Sequence, residues 1–351
     1  MIAFLLILLI LSMVIEVISL NTSFQNISFE FETDRRSTEP GEPFYIVHKV
    51  SNTSWLPVTF LRTKILFPRG TVTSKDAAVI MNSFERKSSQ HYFLLPRRRL
   101  IRRVPAVLGE RGLYWFENAE MERGDFLGLK TNFTHVWGYS GIIVRPEKLK
   151  DSRSVETLSG IVGDFLSKPF LMRDPVLTVG VREYTGTEPM KTISWKKSAS
   201  RGKLMVREFD YTRERSCTIV VTGSVDASDS QMDMCARIAR TAGEMLMEQG
   251  VQLRFFTSAY LQASRPFEVY KSEASRASDD VFLNQLACLR PGAVAPASKL
   301  LDEIGSRSDS QCILIAPFEE PGVYELQRKI SALTRSETAV ILADDFQEVR
   351  G

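Results

Sequence analysis

VREYTGTEPMKTISWKKSASRGKLMVREFD, residues 181–210, mixes dense charge with aromatic rings. It opens on Arg182-Glu183-Tyr184 and closes on the near-echo Arg207-Glu208-Phe209, with Trp195, Lys196, Lys197, Ser198, Ala199, Ser200 and Arg201 between them. A surface loop has little use for so many rings, and a core has little use for so many charges. The composition predicts a buried or half-buried polar network, in which arginine forks meet carboxylates and backbone carbonyls. Tyr184 and Trp195 are then expected to pack rather than to bind.

Working toward the C-terminus, strand and helix patterns alternate. Residues 217–221 read as a buried-type strand. In residues 231–249 the side chains of Cys235, Ile238, Ala239, Ala242, Met245 and Leu246 fall on one face of a 3.6-residue period, which predicts a helix, and Gly250 ends it. Strands are expected over 252–257, 311–317 and 339–343, and helices over 280–289, 298–304 and 322–333. Such alternation implies a mainly parallel sheet covered on both faces.

Toward the N-terminus the period changes to two. Residues 22–146 carry short β-branched and aromatic runs, such as 44–50 and 58–67, punctuated by Pro40-Gly41, Asn52-Thr53-Ser54, Pro68-Arg69-Gly70 and Glu110-Arg111-Gly112. This pattern predicts a small β-sandwich. Residues 147–180 form a connector with helical character around 154–166. Residues 2–20 are almost wholly apolar, broken by Ser12, Glu16 and Ser19, and just long enough to span a bilayer. A cleaved signal peptide would show a basic start and a small-residue cleavage site, and neither is present. Arg35 and Arg36, the nearest basic residues, place the C-terminal side in the cytoplasm by the positive-inside rule. The expectation is a single-pass protein of the cell membrane with its bulk cytoplasmic. The sequons headed by Asn21, Asn26, Asn52 and Asn132 read as chance matches in a β region.

The chain of 351 residues has room for two or three domains, and its net charge of +3 is too mild for a nucleic-acid binder. Cys217, Cys235, Cys288 and Cys312 lie within or beside apolar runs, with no CxxC and no Cys/His cluster. They read as reduced core thiols rather than zinc ligands. Arg97, Arg98, Arg99, Arg102 and Arg103 form a basic run that suits either acidic headgroups or a solvated strand face.

The central stretch resembles the signature of the bacterial family called "domain of unknown function 58", which runs R-E-Y-x-x-G-D-x-x-R-x-I-x-W-K-x-S-A-R-x-x-x-L-x-V-R-E-F. Arg182, Glu183, Tyr184, Gly186, Ile193, Trp195, Lys196, Ser198, Ala199, Leu204, Val206, Arg207, Glu208 and Phe209 match it. Thr187, Lys191 and Ser200 depart from it, with Arg201 one place beyond the expected arginine. Residues 110–115 and 124–129 resemble the family's R-G-x-Y … D-P-F-G-L segment, with Leu127 altering the order. The resemblance implies a von Willebrand factor A-like last domain, a membrane anchor and association with a MoxR-type AAA+ ATPase.

Asp226, Ser228 and Ser230 spell D-x-S-x-S, whose oxygens suit Mg²⁺. The fold implied by the resemblance wants the aspartate directly after the first strand, near Thr222, and a later strand-end carboxylate where Pro317-Phe318 stand. The same acids also suit a helix N-terminus, so Asp226 is expected not to hold a divalent ion tightly. His48, His91 and His135 are scattered through the β region, and no nucleophile elbow, metalloprotease motif or phosphate loop occurs. Glu183 and Glu208 each follow an arginine, and ion pairing explains them without catalysis. The combined expectation is an α+β multidomain protein: a membrane span at 1–20, a β-sandwich-like domain at 22–146, the connector, and the signature plus a von Willebrand factor A-like domain at 181–351. Its function would be a membrane-anchored interaction or assembly factor, not an enzyme and without a cofactor. The alternative is a metal-dependent ligand-binding or adhesion receptor.

Overall fold

Period-two burial builds the N-terminal half. In β1 (Ile27–Thr33) Ile27, Phe29 and Phe31 are buried while Ser28, Glu30 and Glu32 are exposed. The computed structural model describes residues 2–21, 26–68, 71–73, 79–82, 85–124, 131–167, 173–186, 190–211, 216–305, 311–334 and 336–346. Within them, helix α1 (Ile2–Asn21) precedes β1, and β2 (Ser37–Thr38), β3 (Phe44–Asn52), β4 (Val58–Leu66), β5 (Thr71–Thr73), β6 (Val79–Asn82), β7 (Glu85–Leu94), β8 (Arg99–Leu108), β9 (Gly112–Gly124) and β10 (Thr131–Val144) follow. One sheet runs β1-β3-β8-β5 and the other β2-β10-β9-β4-β7-β6. All these ladders are antiparallel except the short β2–β10 pair. Phe29, Phe44, Ile46, Leu61, Ile65, Phe116 and Ile142 join in one apolar core drawn from both sheets, which is a β-sandwich. This first compact unit comprises Met1–Glu147 together with Leu261–Ala263 and Leu283–Leu289.

The second unit comprises Lys148–Tyr260, Ser264–Phe282 and Arg290–Gly351. It begins with α2 (Ser152–Ser167), started by Asp151, whose carboxylate accepts from the Ser154 N–H and hydroxyl, both at 2.9 Å. Those bonds hold the Asp151 carboxyl below its ordinary pKa. Next come β11 (Arg173–Glu183), α3 (Trp195–Arg201) and β12 (Met205–Tyr211), then β13 (Ser216–Val221), α4 (Asp229–Glu248), β14 (Gln252–Thr257), β15 (Tyr260–Leu261), β16 (Tyr270–Ala274), α5 (Asp280–Ala287), β17 (Leu289–Arg290), α6 (Ala297–Ile304), β18 (Gln311–Ala316), α7 (Pro321–Thr334) and β19 (Thr338–Leu342). A five-stranded sheet has the order β16-β14-β13-β18-β19. Residues 217–221 of β13 are buried without alternation, as a central strand covered on both faces requires. Val220, Phe256 and Leu314 share a core with Leu300 of α6 and Ile330 of α7. On the opposite face Phe255 meets Phe282 edge-to-face at 5.2 Å. A Cβ on Gly243 of α4 would lie 2.9 Å from that Phe282 ring, so a glycine there lets the helix approach closely.

Three expectations are corrected. Among the described residues no helix is long and apolar enough to cross a membrane. The single-pass anchor, and with it the membrane location and cytoplasmic topology, is withdrawn. The von Willebrand factor A-like domain is withdrawn as well: ladders across the chain are mostly antiparallel, and the five-stranded sheet is mixed. In that sheet β14, β13, β18 and β19 run parallel while β16 returns antiparallel at the edge. Helix–strand alternation announces crossovers, but β16 is reached from β14 without an intervening helix, the connection that an antiparallel return permits. The third correction concerns the buried polar network, taken up next.

Candidate functional site: the exposed face of the signature hairpin

β11 and β12 pair antiparallel, with Val181 opposite Arg207, Arg182 opposite Val206 and Glu183 opposite Met205. The Tyr184 N–H donates to the Leu204 carbonyl at 2.9 Å, and the Ser194 N–H to the Met205 carbonyl at 2.8 Å, so the segment between the strands is laid back against β12. Within it α3 is only 7 residues long, too short to hold on propensity alone. Ser198 fixes it. Its buried hydroxyl donates to the Ser194 carbonyl at 2.9 Å and accepts from the Met205 N–H at 2.8 Å. Gly202, at φ +66°, ends the helix in the left-handed conformation that a side chain would resist. Ile193, Met205 and Val206 are the buried apolar support.

The remaining signature residues face outward. Trp195 is 62% exposed, Met190 68% and Leu204 46%. Lys196, Arg182, Glu183 and Arg207 are exposed and Tyr184 is half-buried. Arg182 donates to the Glu183 carbonyl at 3.3 Å, and the Glu183 carboxylate pairs with Lys203 at 3.1 Å. Glu208 is paired through its backbone with Gly180, while its side chain and Thr187 lie outside the described residues. The expected buried network is therefore a surface. Among the described side chains of this hairpin the buried ones are Ile193, Ser194, Ser198, Met205 and Val206, while the described charges and Trp195 are left to solvent.

The D-x-S-x-S residues follow β13. Ser228 is the N-cap of α4: its hydroxyl accepts from the Gln231 N–H at 3.1 Å, and the Gln231 side-chain oxygen accepts from the Ser228 N–H at 2.9 Å. This reciprocal pair is a capping box. Asp226 is exposed, and its own N–H donates to the Ser224 hydroxyl at 3.3 Å. Ser230 is exposed in the first turn of the helix, and Asp229 pairs with Arg290 at 3.5 Å. Thr222 stands directly after β13, where its N–H donates to the Ile315 carbonyl at 2.9 Å. Among the described residues no group of three or more His, Cys, Asp or Glu side chains is placed to hold a metal ion. What the structure shows for these residues is the cap that Ser228 makes at the start of α4.

Other reactive side chains are placed in cores. Cys217, Cys235 and Cys312 are buried and Cys288 half-buried, all as free thiols. Burial pushes the Cys312 thiol up to about 12 and raises Cys217 in the same direction, with Cys312 beside it adding to the shift. Thiols held protonated in this way are poor nucleophiles. His48 is buried inside the sandwich, its Nδ1 sharing a 2.7 Å hydrogen bond with the Tyr92 hydroxyl. Burial, with Arg102 nearby, lowers its pKa to about 4, and burial raises that of Tyr92 to about 12. Arg111 is a residue whose role the sequence reading missed. It is buried, and its Nη1 donates to the carbonyls of Leu286, Ala287 and Leu289 at 3.2, 3.2 and 2.8 Å, all within the first unit. A lone Arg-Gly turn carries no signal for such distant acceptors. The related corner at residues 125–129 lies outside the described residues.

No family profile and no curated protein matches the chain. Solved structures do match, three of them over about a third of it. The chain is similar to the CARDB domain of the PF1109 protein from Pyrococcus furiosus, solved with di-metal ions, at 12% identity over 35% of this chain and 97% of that one, with a TM-score of 0.23. It is also similar to a non-cellulosomal cohesin from Archaeoglobus fulgidus, at 10% identity, 37% and 97% coverage and a TM-score of 0.24. A third is a ScaC cohesin from Acetivibrio cellulolyticus, solved with a ScaB dockerin, at 10% identity, 33% and 99% coverage and a TM-score of 0.24. These are β-sandwich modules rather than von Willebrand factor A domains, and at such scores they carry no argument about fold or activity.

Proposed function

We propose that the protein is an interaction or assembly factor, not an enzyme, that engages a MoxR-type AAA+ ATPase, the partner implied by the signature it shares with the "domain of unknown function 58" family. The observation that supports this reading is the exposure of Trp195 and Met190 on a hairpin whose inner side is tied down by Ser198. Exposed large apolar side chains on a fixed scaffold are the raw material of a binding hot spot. Nothing in the described thiols, histidines or carboxylates is arranged as a nucleophile with a base. The alternative, a metal-dependent receptor, rests on the D-x-S-x-S spelling of Asp226, Ser228 and Ser230, of which Ser228 is engaged as a cap.

The test is co-purification of a MoxR-type ATPase, held in its ATP state, with the full chain. Retention by the parent and its loss in Trp195→Ala is the expected result. Equal retention by both proteins would remove the hairpin from the interface, and no retention by the parent would remove the ATPase from the reading.

A further inference from the structure

We propose that the exposed face of the β11–α3–β12 hairpin docks an acidic protein segment carrying an apolar side chain, a partner chemistry that rests on the interaction reading above. Three observations meet there. The first is charge: Lys191, Lys196, Lys197, Arg201 and Arg207 are exposed, and none makes an ion pair among the described residues. Glu183 is the one acidic side chain described between residues 180 and 207, and Lys203 already engages it. Over residues 181–210 basic side chains outnumber acidic ones seven to four, a local surplus as large as the +3 of the whole chain. Like charges gathered on one small element repel one another, and a partner of opposite sign relieves that repulsion while steering its own approach.

The second observation is the apolar set inside that field. Trp195, Met190 and Leu204 are all largely exposed. A merely solvated basic face has no need of them. An exposed tryptophan on an element rich in exposed charge suits an interface in which one ring is desolvated and the rim stays polar. The third is rigidity. The Ser198 hydroxyl bonds both ends of its local segment, so α3 presents Trp195 already ordered, and docking need not repeat that ordering cost.

Basic residues with an aromatic ring also suit single-stranded nucleic acid. That ligand stacks successive bases on successive rings, and the exposed large apolar side chains described on this hairpin are one tryptophan, the aliphatic Leu204 and the Met190 thioether. Apolar neighbours of that kind fit a leucine or isoleucine among glutamates and aspartates better than a run of bases.

The experiment uses the full chain and a fluorescein-labelled synthetic peptide of glutamate and aspartate with leucine at every fourth position. Fluorescence anisotropy would be read at low and at high salt, beside a peptide with lysine in place of each acid and a single-stranded DNA 20-mer. The acidic peptide should bind, and raising salt from about 50 to about 300 mM should weaken it roughly tenfold or more as the Debye length shrinks. Trp195→Ala and the double variant Lys196→Glu, Lys197→Glu should each weaken it about tenfold or more, with melting temperatures equal to the parent. Binding that is indifferent to salt or to these variants overturns the proposal. So does tighter binding of the DNA or of the basic peptide, an absence of peptide binding, or salt-sensitive self-association seen by sedimentation that Trp195→Ala abolishes. Capture of the ATPase without peptide binding would leave the interaction reading standing and remove the acidic segment. Peptide binding without ATPase capture would do the reverse.

Discussion

Ser198 and Trp195 stand three residues apart in one short helix and do opposite work. Ser198 is buried and closes two hydrogen bonds, one of them from the Met205 N–H. Ser198→Ala leaves that N–H without its hydroxyl acceptor, and an unsatisfied buried donor costs about 1–3 kcal/mol. Trp195 exposes most of its surface, and substitutions at such positions usually stay within about 0.5 kcal/mol. Chemical denaturation of the two alanine variants should therefore show a clear loss for Ser198→Ala and almost none for Trp195→Ala. A large loss at Trp195 would mean that its ring is packed, as the composition of the stretch suggested. Sequence exposes both residues as members of a motif but does not say which side of the hairpin either occupies. Helical spacing relates neighbours to each other, whereas burial depends on the strands they are laid against.

At the level of elements, α4 is the clearest case of local determination. Its observed span, Asp229–Glu248, lies close to the 231–249 predicted from periodicity. Gly250 beyond its end sits at φ +77°, a conformation glycine enters without penalty. The start of the helix decides how D-x-S-x-S is to be understood. Ser228→Ala removes the N-cap hydroxyl and should cost about 0.5–2 kcal/mol. Because the hydroxyl serves the helix rather than an ion, the loss should be the same in millimolar Mg²⁺ and in chelator. A Mg²⁺-dependent stabilisation of the parent that Ser228→Ala and Asp226→Ala both lose would restore the metal site, since an ion that binds only the folded state raises stability with its concentration. The opposite lesson comes from β16. Tyr270–Ala274 alternates between half-buried and exposed positions before Ala274, and it was not predicted as a strand. Pairing with β14 at the sheet edge makes it one.

On the scale of the whole molecule, the two units have separate apolar cores, one in the sandwich and one beside the mixed sheet. Separate cores predict two calorimetric unfolding transitions rather than one. Acid should act unequally on them through His48. The folded-state pKa of about 4 lies below the ordinary 6.5. Above pH 6.5 the imidazole is neutral in both states and costs nothing. As pH falls from 6.5 toward 4 the unfolded chain takes up the proton first, so stability is lost across that window and levels off below it. A depression of this size corresponds to roughly 3 kcal/mol. The sandwich transition should therefore move down in temperature between pH 7 and pH 4.5. In His48→Gln that pH slope should flatten, even if the substitution itself lowers the transition. A slope unchanged by the substitution would assign the acid sensitivity to carboxylates instead.

Strands of the sandwich, helix α4 and the glycine that ends it were legible in the order of residues because each rests on a short-range rule. Alternation places side chains on two faces of a strand, the 3.6-residue period gathers them on one face of a helix, and Gly250 enters the left-handed conformation without a steric penalty. The outward face of the signature, the antiparallel edge at β16 and the three carbonyls gathered by Arg111 were not legible. Each depends on which distant surface a segment meets: Trp195 is exposed because Ile193, Met205 and Val206 take the covered side, and the Arg111 Nη1 donates to residues about 175 positions away. Local spacing sets what a segment can bury. Only packing against the rest of the chain sets what it does bury, because burial is a property of two surfaces and the sequence of one segment describes a single surface.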